Sequence, residues 1–245
     1  MGKLAILSGT MPLFELDMFD HLRKQSYDGA PSHVGLLSED DLIFIARHGL
    51  PGDTFTPPHL VDHLANFRTL SILGAVEVIG IYSTGSLKAD MGPGTLFVPD
   101  DFICLYPTPT SVTDVPLHIT PVIDTGVRRG LMEAARARNI DVYDGGIYWQ
   151  TAGPRLETKA EIHMMAKNAD VVGMTLASEA VLAREFGMAF GAMCSVDNYA
   201  HGIGTGDLKE EDIRIQAKRN AKKIGLIVSR YIEDFRLRTP PTGRA

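Results

Sequence analysis

Polar side chains follow apolar runs at five places in this chain, and their types are those that hold a small anion. They stand at Ser8-Gly9-Thr10, Arg47-His48-Gly49, Ser83-Thr84-Gly85-Ser86, Gly173-Met174-Thr175 and Asp197-Asn198. A glycine beside hydroxyls lets backbone N–H groups approach an anion, while arginine supplies a permanent cation with several donors. A phosphate site needs such groups together, and Arg47, His48 and the hydroxyls of these segments are its candidate ligands.

Each group also has a simpler interpretation. Residues 8–10 suit an ordinary strand-to-loop turn, and Arg47 suits an ion pair with a carboxylate of the core. His48 suits a capping role, and Thr175 suits the N-cap of the helix that follows it. Neither a Walker loop nor a GxGxxG fingerprint is present. Only the co-occurrence of all these groups favours a phosphate site.

Strands and helices must position these groups. Short apolar runs alternate with amphipathic stretches along the chain, and this pattern predicts an α/β fold. We expect a single domain over residues 1–245, with a central mixed, twisted β-sheet flanked by helices. The predicted strands are LAILSG (4–9), LIFIARHG (42–49), VEVIGIYSTG (76–85), TLFVPDDFICLY (95–106), YDGGIYWQTAG (143–153), ADVVGM (169–174) and AFGAMCSVDN (189–198). Helical spacing predicts helices over Pro58–Leu73, Val127–Asn139, Glu157–Asn168, Ser178–Phe186 and Glu210–Phe235.

Composition excludes several classes of function. The net charge of -6 gives no basic field for a nucleic acid. No run approaches the roughly 20 apolar residues of a membrane span, and the apolar part of MGKLAILSGT is too short for a signal peptide. The two cysteines, Cys104 and Cys194, lie in apolar segments and are interpreted as buried free thiols rather than a disulfide or zinc site. We therefore expect a cytoplasmic protein.

The sequence resembles the trimeric purine nucleoside phosphorylase and methylthioadenosine phosphorylase family over most of its length. The matching segments are ARHG (46–49), STGSL (83–87), MGPGTLFVPDDFI (91–103), GPRLET (153–158), ADVVGMTLASEAVLAREFG (169–187) and the asparagine at position 198. The resemblance implies a nucleoside phosphorylase-like fold, inorganic phosphate as co-substrate, and no metal or organic cofactor. It also implies a homotrimer or homohexamer.

The resemblance implies site roles that agree with the chemistry above. Its phosphate-holding positions match Thr10, Arg47, His48, Ser83 and Thr175, with His48 also a candidate for catalysis. Met174 matches the residue that packs under the sugar, and Gly85 is expected where a flat ring lies against backbone. Glu157 and Asn198 match the two positions that contact the purine edge.

Glu157 and Asn198 together favour a 6-oxopurine. Such a base presents N1–H as a donor and O6 as an acceptor, so a carboxylate suits N1 while an amide can serve both O6 and a protonated N7. Adenine-specific members of the family carry aspartate at the position of Asn198 and a small hydroxyl residue at that of Glu157. Taken without the resemblance, Glu157 suits a helix N-terminus and Asn198 a turn at a strand end.

The sequence therefore predicts phosphorolysis of inosine, guanosine or 5'-methylthioinosine, with Asn198, Glu157 and His48 as catalytic residues. The alternatives are an adenine-type methylthioadenosine phosphorylase, a hydrolytic nucleosidase and a non-catalytic nucleoside-binding homologue. The segment from Tyr106 to His118 is shorter than in the family, which puts its contact with a neighbouring subunit in doubt. Two residues, His201 and Leu208, are candidates for the contact with the 5' substituent of the substrate, which leaves a 5'-hydroxyl and a 5'-methylthio group as alternatives.

Overall fold

The computed structural model of the chain describes residues 2–9, 13, 23–25, 33–36, 42–50, 53–204 and 210–238. Its strands are β1 (Lys3–Ser8), β2 (Arg23–Gln25), β3 (His33–Leu36), β4 (Leu42–Ala46), β5 (Ala75–Ser86), β6 (Leu96–Val98), β7 (Asp101–Cys104), β8 (Tyr143–Asp144), β9 (Ile147–Gln150), β10 (Val171–Gly173) and β11 (Ala189–Tyr199). Its helices are α1 (His63–Leu73), α2 (Thr125–Ala137), α3 (Lys159–Met165), α4 (Leu176–Glu185) and α5 (Glu210–Arg238).

The described strands form one mixed sheet that branches at its longest member, β5. The first half of β5 pairs in parallel with β1, and its last two residues pair antiparallel with β10. Strand β11 runs parallel along the other side of β5 for nearly its whole length. Because β1 also pairs in parallel with β4, the carboxyl ends of β1, β4, β5 and β11 lie at the same edge of the sheet.

Helices cover the two faces of this sheet. One apolar cluster joins residues of β1, β4 and β5 to α2 and α5. A second cluster joins the alternate residues of the same strands to α1 and α4. Side chains of a strand point alternately to opposite faces, so a strand buried on both faces is apolar almost throughout. All five residues of β4, LIFIA, are buried in this way.

The fold class predicted from the sequence is confirmed, with changes at several boundaries. The predicted strand over 95–106 is two strands, β6 and β7, interrupted at Pro99 and Asp100. The predicted strand over 143–153 divides into β8 and β9, because Gly145 and Gly146 both adopt positive φ, +100° and +99°. The helix predicted from Pro58 begins as a 3-10 turn, and α1 starts only after Asp62, whose side chain accepts the Ala65 N–H at 2.8 Å.

Two further findings concern the composition. Cys194 is buried as expected, whereas Cys104 is only partly buried, and both thiols are free. Within the described ranges, none of the helices combines the length and apolar character that crossing a membrane requires.

Candidate active site

One cavity of about 200 Å³ lies at the strand edge where β4, β5 and β11 end. The residues assigned to the site from the sequence that line it are Arg47, His48, Ser83, Gly85, Glu157, Met174, Thr175 and Asn198. Thr10, the ninth, falls outside the described residues. Segments far apart in sequence therefore meet in one cavity.

Arg47 is held by a network of hydrogen bonds beneath this cavity. Its Nε and Nη2 donate to the two carboxylate oxygens of Glu179, at 2.7 and 2.8 Å. Nη1 donates to the carbonyl of Ile81 and Nη2 to that of Leu7, at 2.8 and 3.1 Å. A guanidinium has five N–H donors. These four bonds use four of them, and one N–H on Nη1 remains for a ligand. The ion pair that the sequence offered as the simpler interpretation is thus present.

The pair between Arg47 and Glu179 is fully ionised despite its burial. Burial alone would raise the pKa of Glu179, but the charge and hydrogen bonds of Arg47, together with the His63 imidazole 3.4 Å away, lower it to about 2. Burial opposes the charge on Arg47 as well, and Glu179 overcomes this and raises the pKa of the guanidinium. Tyr82 donates a further bond of 2.5 Å to Glu179. The positive charge of Arg47 is therefore balanced before any ligand binds.

His48 is uncharged at neutral pH. Burial and the neighbouring Arg47 charge lower the pKa of His48 to about 4. Its Nδ1 lies 2.7 Å from the carbonyl of Thr56, which can only accept a hydrogen bond, so Nδ1 carries the proton. Nε2 is consequently an acceptor. His48 can serve phosphate only by accepting a bond from a P–OH group, not as a cation.

The turn after β1 approaches these two side chains closely at Gly9. A Cβ added there would lie 2.8 Å from Nε2 of His48 and 3.0 Å from Nη1 of Arg47. No side chain fits this position without displacing them. The glycine therefore allows backbone to pass beside the remaining Arg47 donor, as an anion site at a strand end requires.

Thr175 occupies the N-cap position of α4, but its side chain forms no capping hydrogen bond. The Ser178 N–H is accepted by the side chain of Gln150 at 3.1 Å. The Tyr148 hydroxyl accepts a hydrogen bond from the Thr175 N–H at 3.4 Å. The hydroxyl of Thr175, which makes no capping bond, is therefore a group that α4 can offer to the cavity.

The two hydroxyls near the end of β5 have different roles. Thr84 is buried, and its hydroxyl donates to the carbonyl of Ser195 at 2.9 Å, which ties β5 to β11. Ser83 is only partly buried, as expected for a side chain at the cavity wall. Ser83 is thus the better ligand candidate of the pair.

Glu157 lies just before α3 and turns towards the cavity. The N-cap of α3 is Thr158, and the carboxylate that completes the capping box is Glu161 rather than Glu157. Glu157 is buried, with one oxygen accepting a bond of 2.6 Å from the Thr151 hydroxyl. Glu157 is therefore not the capping carboxylate of α3, and its second oxygen is available to a ligand.

The loop that carries Glu157 depends on Gly153. This glycine has a φ of +65°, and a Cβ there would meet the sulfur of Met174 at 2.6 Å. A side chain at 153 would therefore be strained and would displace Met174. Met174 thus packs closely against the backbone of the loop that carries Glu157, and the absence of a side chain at Gly153 makes this packing possible.

Asn198 lies at the end of β11 against Gly85. A Cβ at Gly85 would lie 3.1 Å from Nδ2 of Asn198, so the glycine leaves room for the amide. Nδ2 donates one hydrogen to the carbonyl of Tyr199 at 2.8 Å. The second N–H and the amide oxygen are left for a ligand, one donor and one acceptor on the same group.

Sequence reasoning missed the groups that support the site rather than line it. Glu179 and Tyr82 are the main examples, since both are buried against Arg47. A signal for Glu179 did exist, because it is a carboxylate on the otherwise apolar face of ASEAVLA and needs a buried partner.

The region assigned to the 5' end is only partly described. The apolar Ile213 and the exposed His201 both line the cavity, whereas Leu208 falls outside the described residues. The shortened segment bends back on its own chain, where Thr110 and Ser111 donate to Glu185 at 2.6 to 2.8 Å. His118 in that segment is exposed and does not line the cavity of its own chain.

Fold and site together define a nucleoside phosphorylase-like α/β protein with a cavity at its strand ends. Residues 5–233 match the model of the phosphorylase superfamily, and the chain belongs to that superfamily. A relative from Archaeoglobus fulgidus, called a probable 6-oxopurine nucleoside phosphorylase, is 41% identical over 84% of this chain and 85% of its own length. A probable S-methyl-5'-thioinosine phosphorylase from Methanocaldococcus jannaschii is 34% identical over 79% of this chain and 78% of its own.

Solved structures show the same fold. Methylthioadenosine phosphorylase from Schistosoma mansoni, in complex with adenine, superposes with a TM-score of 0.81. The match covers 96% of this chain and 92% of that one, at 22% sequence identity.

Proposed function

We propose that this protein catalyses the phosphorolysis of 6-oxopurine nucleosides to the free base and a ribose 1-phosphate. One observation carries the proposal: residues that the sequence assigns to phosphate and to the purine line a single cavity. The names of the relatives from Archaeoglobus and Methanocaldococcus support the same reaction class. We call the side formed by Arg47, His48, Ser83 and Thr175 the phosphate end, and the side formed by Glu157 and Asn198 the base end.

At the phosphate end, inorganic phosphate is held by hydrogen bonds more than by net charge. Glu179 balances Arg47 and His48 is neutral, so the ligands are the free Nη1–H of Arg47 and the hydroxyls of Ser83 and Thr175. Thr10 completes this set in our assignment. A hydrogenphosphate ion presents both acceptors for these donors and a P–OH donor for Nε2 of His48. Fixed dipoles of this kind bind without reorganising during the reaction.

At the base end, the leaving purine is stabilised. As the glycosidic bond breaks, positive charge grows on the sugar and negative charge on the base, which takes up a proton from solvent at N7, while the attacking hydrogenphosphate releases its P–OH proton to solvent. Asn198 accepts from a protonated N7 with its oxygen and donates to O6 with its free N–H, while Glu157 accepts from N1–H. The bound phosphate lies on the other face of the sugar, where it stabilises the cationic sugar and attacks the anomeric carbon. Met174 packs under the ribose.

Several finer assignments belong to the same proposal. Ile213 gives the cavity an apolar wall that suits a 5'-methylthio group, whereas His201 suits a 5'-hydroxyl, so both substrate types enter the test. No metal or organic cofactor is needed for the chemistry described. We further propose that the enzyme acts in purine salvage in the cytoplasm as a homotrimer or homohexamer.

The test is chromatography of inosine, guanosine, adenosine and their 5'-methylthio analogues after incubation with and without phosphate. We expect hypoxanthine or guanine to be released only with phosphate, together with a sugar 1-phosphate. Equal release without phosphate would identify a nucleosidase, and release of adenine alone would identify an adenine-type phosphorylase. The Glu157→Ala variant, purified identically, controls for a contaminating host enzyme, because a contaminant would keep the wild-type rate.

A further inference from the structure

The end of β11 carries one residue more than the strand beside it. Val196 pairs with Thr84, and Asn198 pairs with the next residue of β5, Gly85. Asp197 lies between them without a partner across the ladder. Such a β-bulge bends the strand and redirects the side chains next to it, and bulges are frequent beside active sites. In a regular ladder, Asn198 would lie one residue farther along β5. The bulge therefore determines where the amide enters the cavity.

Asp197 is buried at this bulge and bonded to helix α5. The Ser195 hydroxyl donates to its Oδ1, and Nδ2 of Asn220 donates to the same oxygen at 3.0 Å. Asn220 also donates to the Ser195 hydroxyl at 2.6 Å. Asn220 is 1% exposed and Asp197 is 2% exposed. This network fastens the end of β11 to α5 out of reach of solvent.

The carboxylate of Asp197 needs these donors. Burial raises the pKa of Asp197 to about 6, although hydrogen bonds from Ser195 and Asn220 act against the rise. The side chain is therefore mostly ionised at neutral pH. The other oxygen, Oδ2, forms no hydrogen bond, so both donors meet at Oδ1. A buried carboxylate destabilises a fold unless donors surround it, which makes this group a strong constraint on the shape of the bulge.

We propose that Asp197 is a positioning residue, which anchors the bulge of β11 to α5 through Ser195 and Asn220 and so directs the Asn198 amide at the leaving purine. The inference rests on the proposed function, because it assigns Asn198 to the base end. Asp197 itself does not touch the substrate in this account. Its effect passes through the placement of Asn198, since a misplacement of about 1 Å can lower a rate about 100-fold.

The chain offers a matched control in Glu77. This carboxylate also ties the sheet to α5, because the Tyr231 hydroxyl of that helix donates to it at 2.7 Å. Glu77 stands near the start of β5, at the end of the strand opposite the cavity. The Glu77→Gln variant should therefore lower thermal stability while leaving the kinetic constants unchanged.

The test is a double-mutant cycle with Asp197→Ala, Asn198→Ala and the double variant, measured as kcat/KM for inosine. Asp197→Ala should lower kcat/KM about 10- to 100-fold with an unchanged KM for phosphate. In the Asn198→Ala background the same substitution should have almost no effect, because the group through which it acts is gone. The proposal is overturned if the rate losses of the two single variants multiply in the double variant. It is also overturned if Asp197→Ala raises the KM for phosphate by the same factor by which it lowers kcat/KM.

Two further measurements cover the remaining outcomes. If Asp197→Ala does not fold, Asn220→Ala removes the helix donor and should give the same non-additive cycle with Asn198→Ala. Hypoxanthine binding by calorimetry repeats the cycle without turnover. If wild-type protein binds hypoxanthine but releases no base in the presence of phosphate, only the proposed function is contradicted. If the protein turns over substrate and the free-energy effects of the two substitutions add in the double variant, only the positioning role of Asp197 is contradicted.

Discussion

The phosphate end and the base end of the cavity are held in place in different ways. At the phosphate end, Arg47 is locked by a buried carboxylate and two strand carbonyls, so its position follows from the sheet itself. At the base end, Glu157 depends on a loop shaped at Gly153, and Asn198 depends on a bulge. The phosphate end follows from the regular part of the sheet, whereas the base end is set by two local irregularities of the backbone.

This difference has a consequence for substrate choice. Every nucleoside uses the same phosphate, so a rigid phosphate end serves all of them. The purine varies between substrates, and the groups that contact it stand on these irregular segments. We therefore expect substitutions at the phosphate end to affect all substrates and the fold, and those at the base end to affect discrimination between bases.

The largest effect should come from Arg47→Ala. It removes a phosphate donor and leaves Glu179 buried without its partner, so the unfolding free energy should fall by about 3 to 5 kcal/mol. Loss of the donor should lower kcat/KM by about 100- to 1000-fold for every nucleoside tested. Urea denaturation and phosphate titrations measure the two effects.

Arg230→Ala is the control for Arg47→Ala. Arg230 forms a similar two-pronged pair with Asp234, with Nε and Nη2 both at 2.9 Å from the carboxylate, but on the exposed side of α5. Its removal should change neither denaturation nor kinetics. A stable Arg47→Ala protein with near-normal turnover would contradict the view that the phosphate end is part of the core.

The amino-acid pattern revealed the phosphate end because its groups follow buried strands directly. LIFIA before Arg47 and VEVIGIY before Ser83 are long enough to fix both the strand and the edge at which it ends. The pattern could not reveal the partner of Arg47, because Glu179 is 132 residues away and meets it only through tertiary packing.

The base end was less accessible to the same reasoning. Asn198 and Glu157 are in the cavity as expected, but the reasons for their placement are local backbone features. A φ of +65° at Gly153 and an extra residue at Asp197 leave no periodic signal in the sequence. Boundaries shifted for similar reasons: a capping side chain at Thr158 starts α3 two residues after the predicted start at Glu157.

An intermediate effect, confined to the base, should follow Asn198→Asp. A carboxylate cannot donate to O6 but can accept from the N6 amino group of adenine, so the ratio of kcat/KM values should move towards adenosine. A shift of about 10- to 100-fold corresponds to one mismatched hydrogen bond. Parallel assays of inosine and adenosine measure the ratio, and the KM for phosphate should stay at its wild-type value. If the ratio is unchanged, or if phosphate binding weakens instead, the two ends are not separable as we describe.

The smallest effect should come from His48→Asn, which tests whether the phosphate end works without a histidine charge. The shorter amide can still donate to the Thr56 carbonyl, and only the Nε2 acceptor is lost. The KM for phosphate should rise about 5- to 10-fold, the equivalent of one neutral hydrogen bond. Phosphate affinity should have the same pH dependence near pH 6.5, the ordinary pKa of histidine, in the wild type and in His48→Asn, because the titration of phosphate itself is common to both.

The pH dependence of stability isolates His48. Its folded pKa of about 4 lies below the ordinary value of 6.5, so the unfolded chain binds more protons between these values. The wild type should therefore lose roughly 2 to 3 kcal/mol relative to His48→Asn as the pH falls from 7 to 4. Asp197, whose pKa is raised to about 6, acts in the opposite direction, but it is common to both proteins and cancels in the difference. If the difference in unfolding free energy between the wild type and His48→Asn does not change over this pH range, His48 takes up its proton in the folded protein as readily as in the unfolded chain. The phosphate end would then carry a histidine charge, contrary to our description.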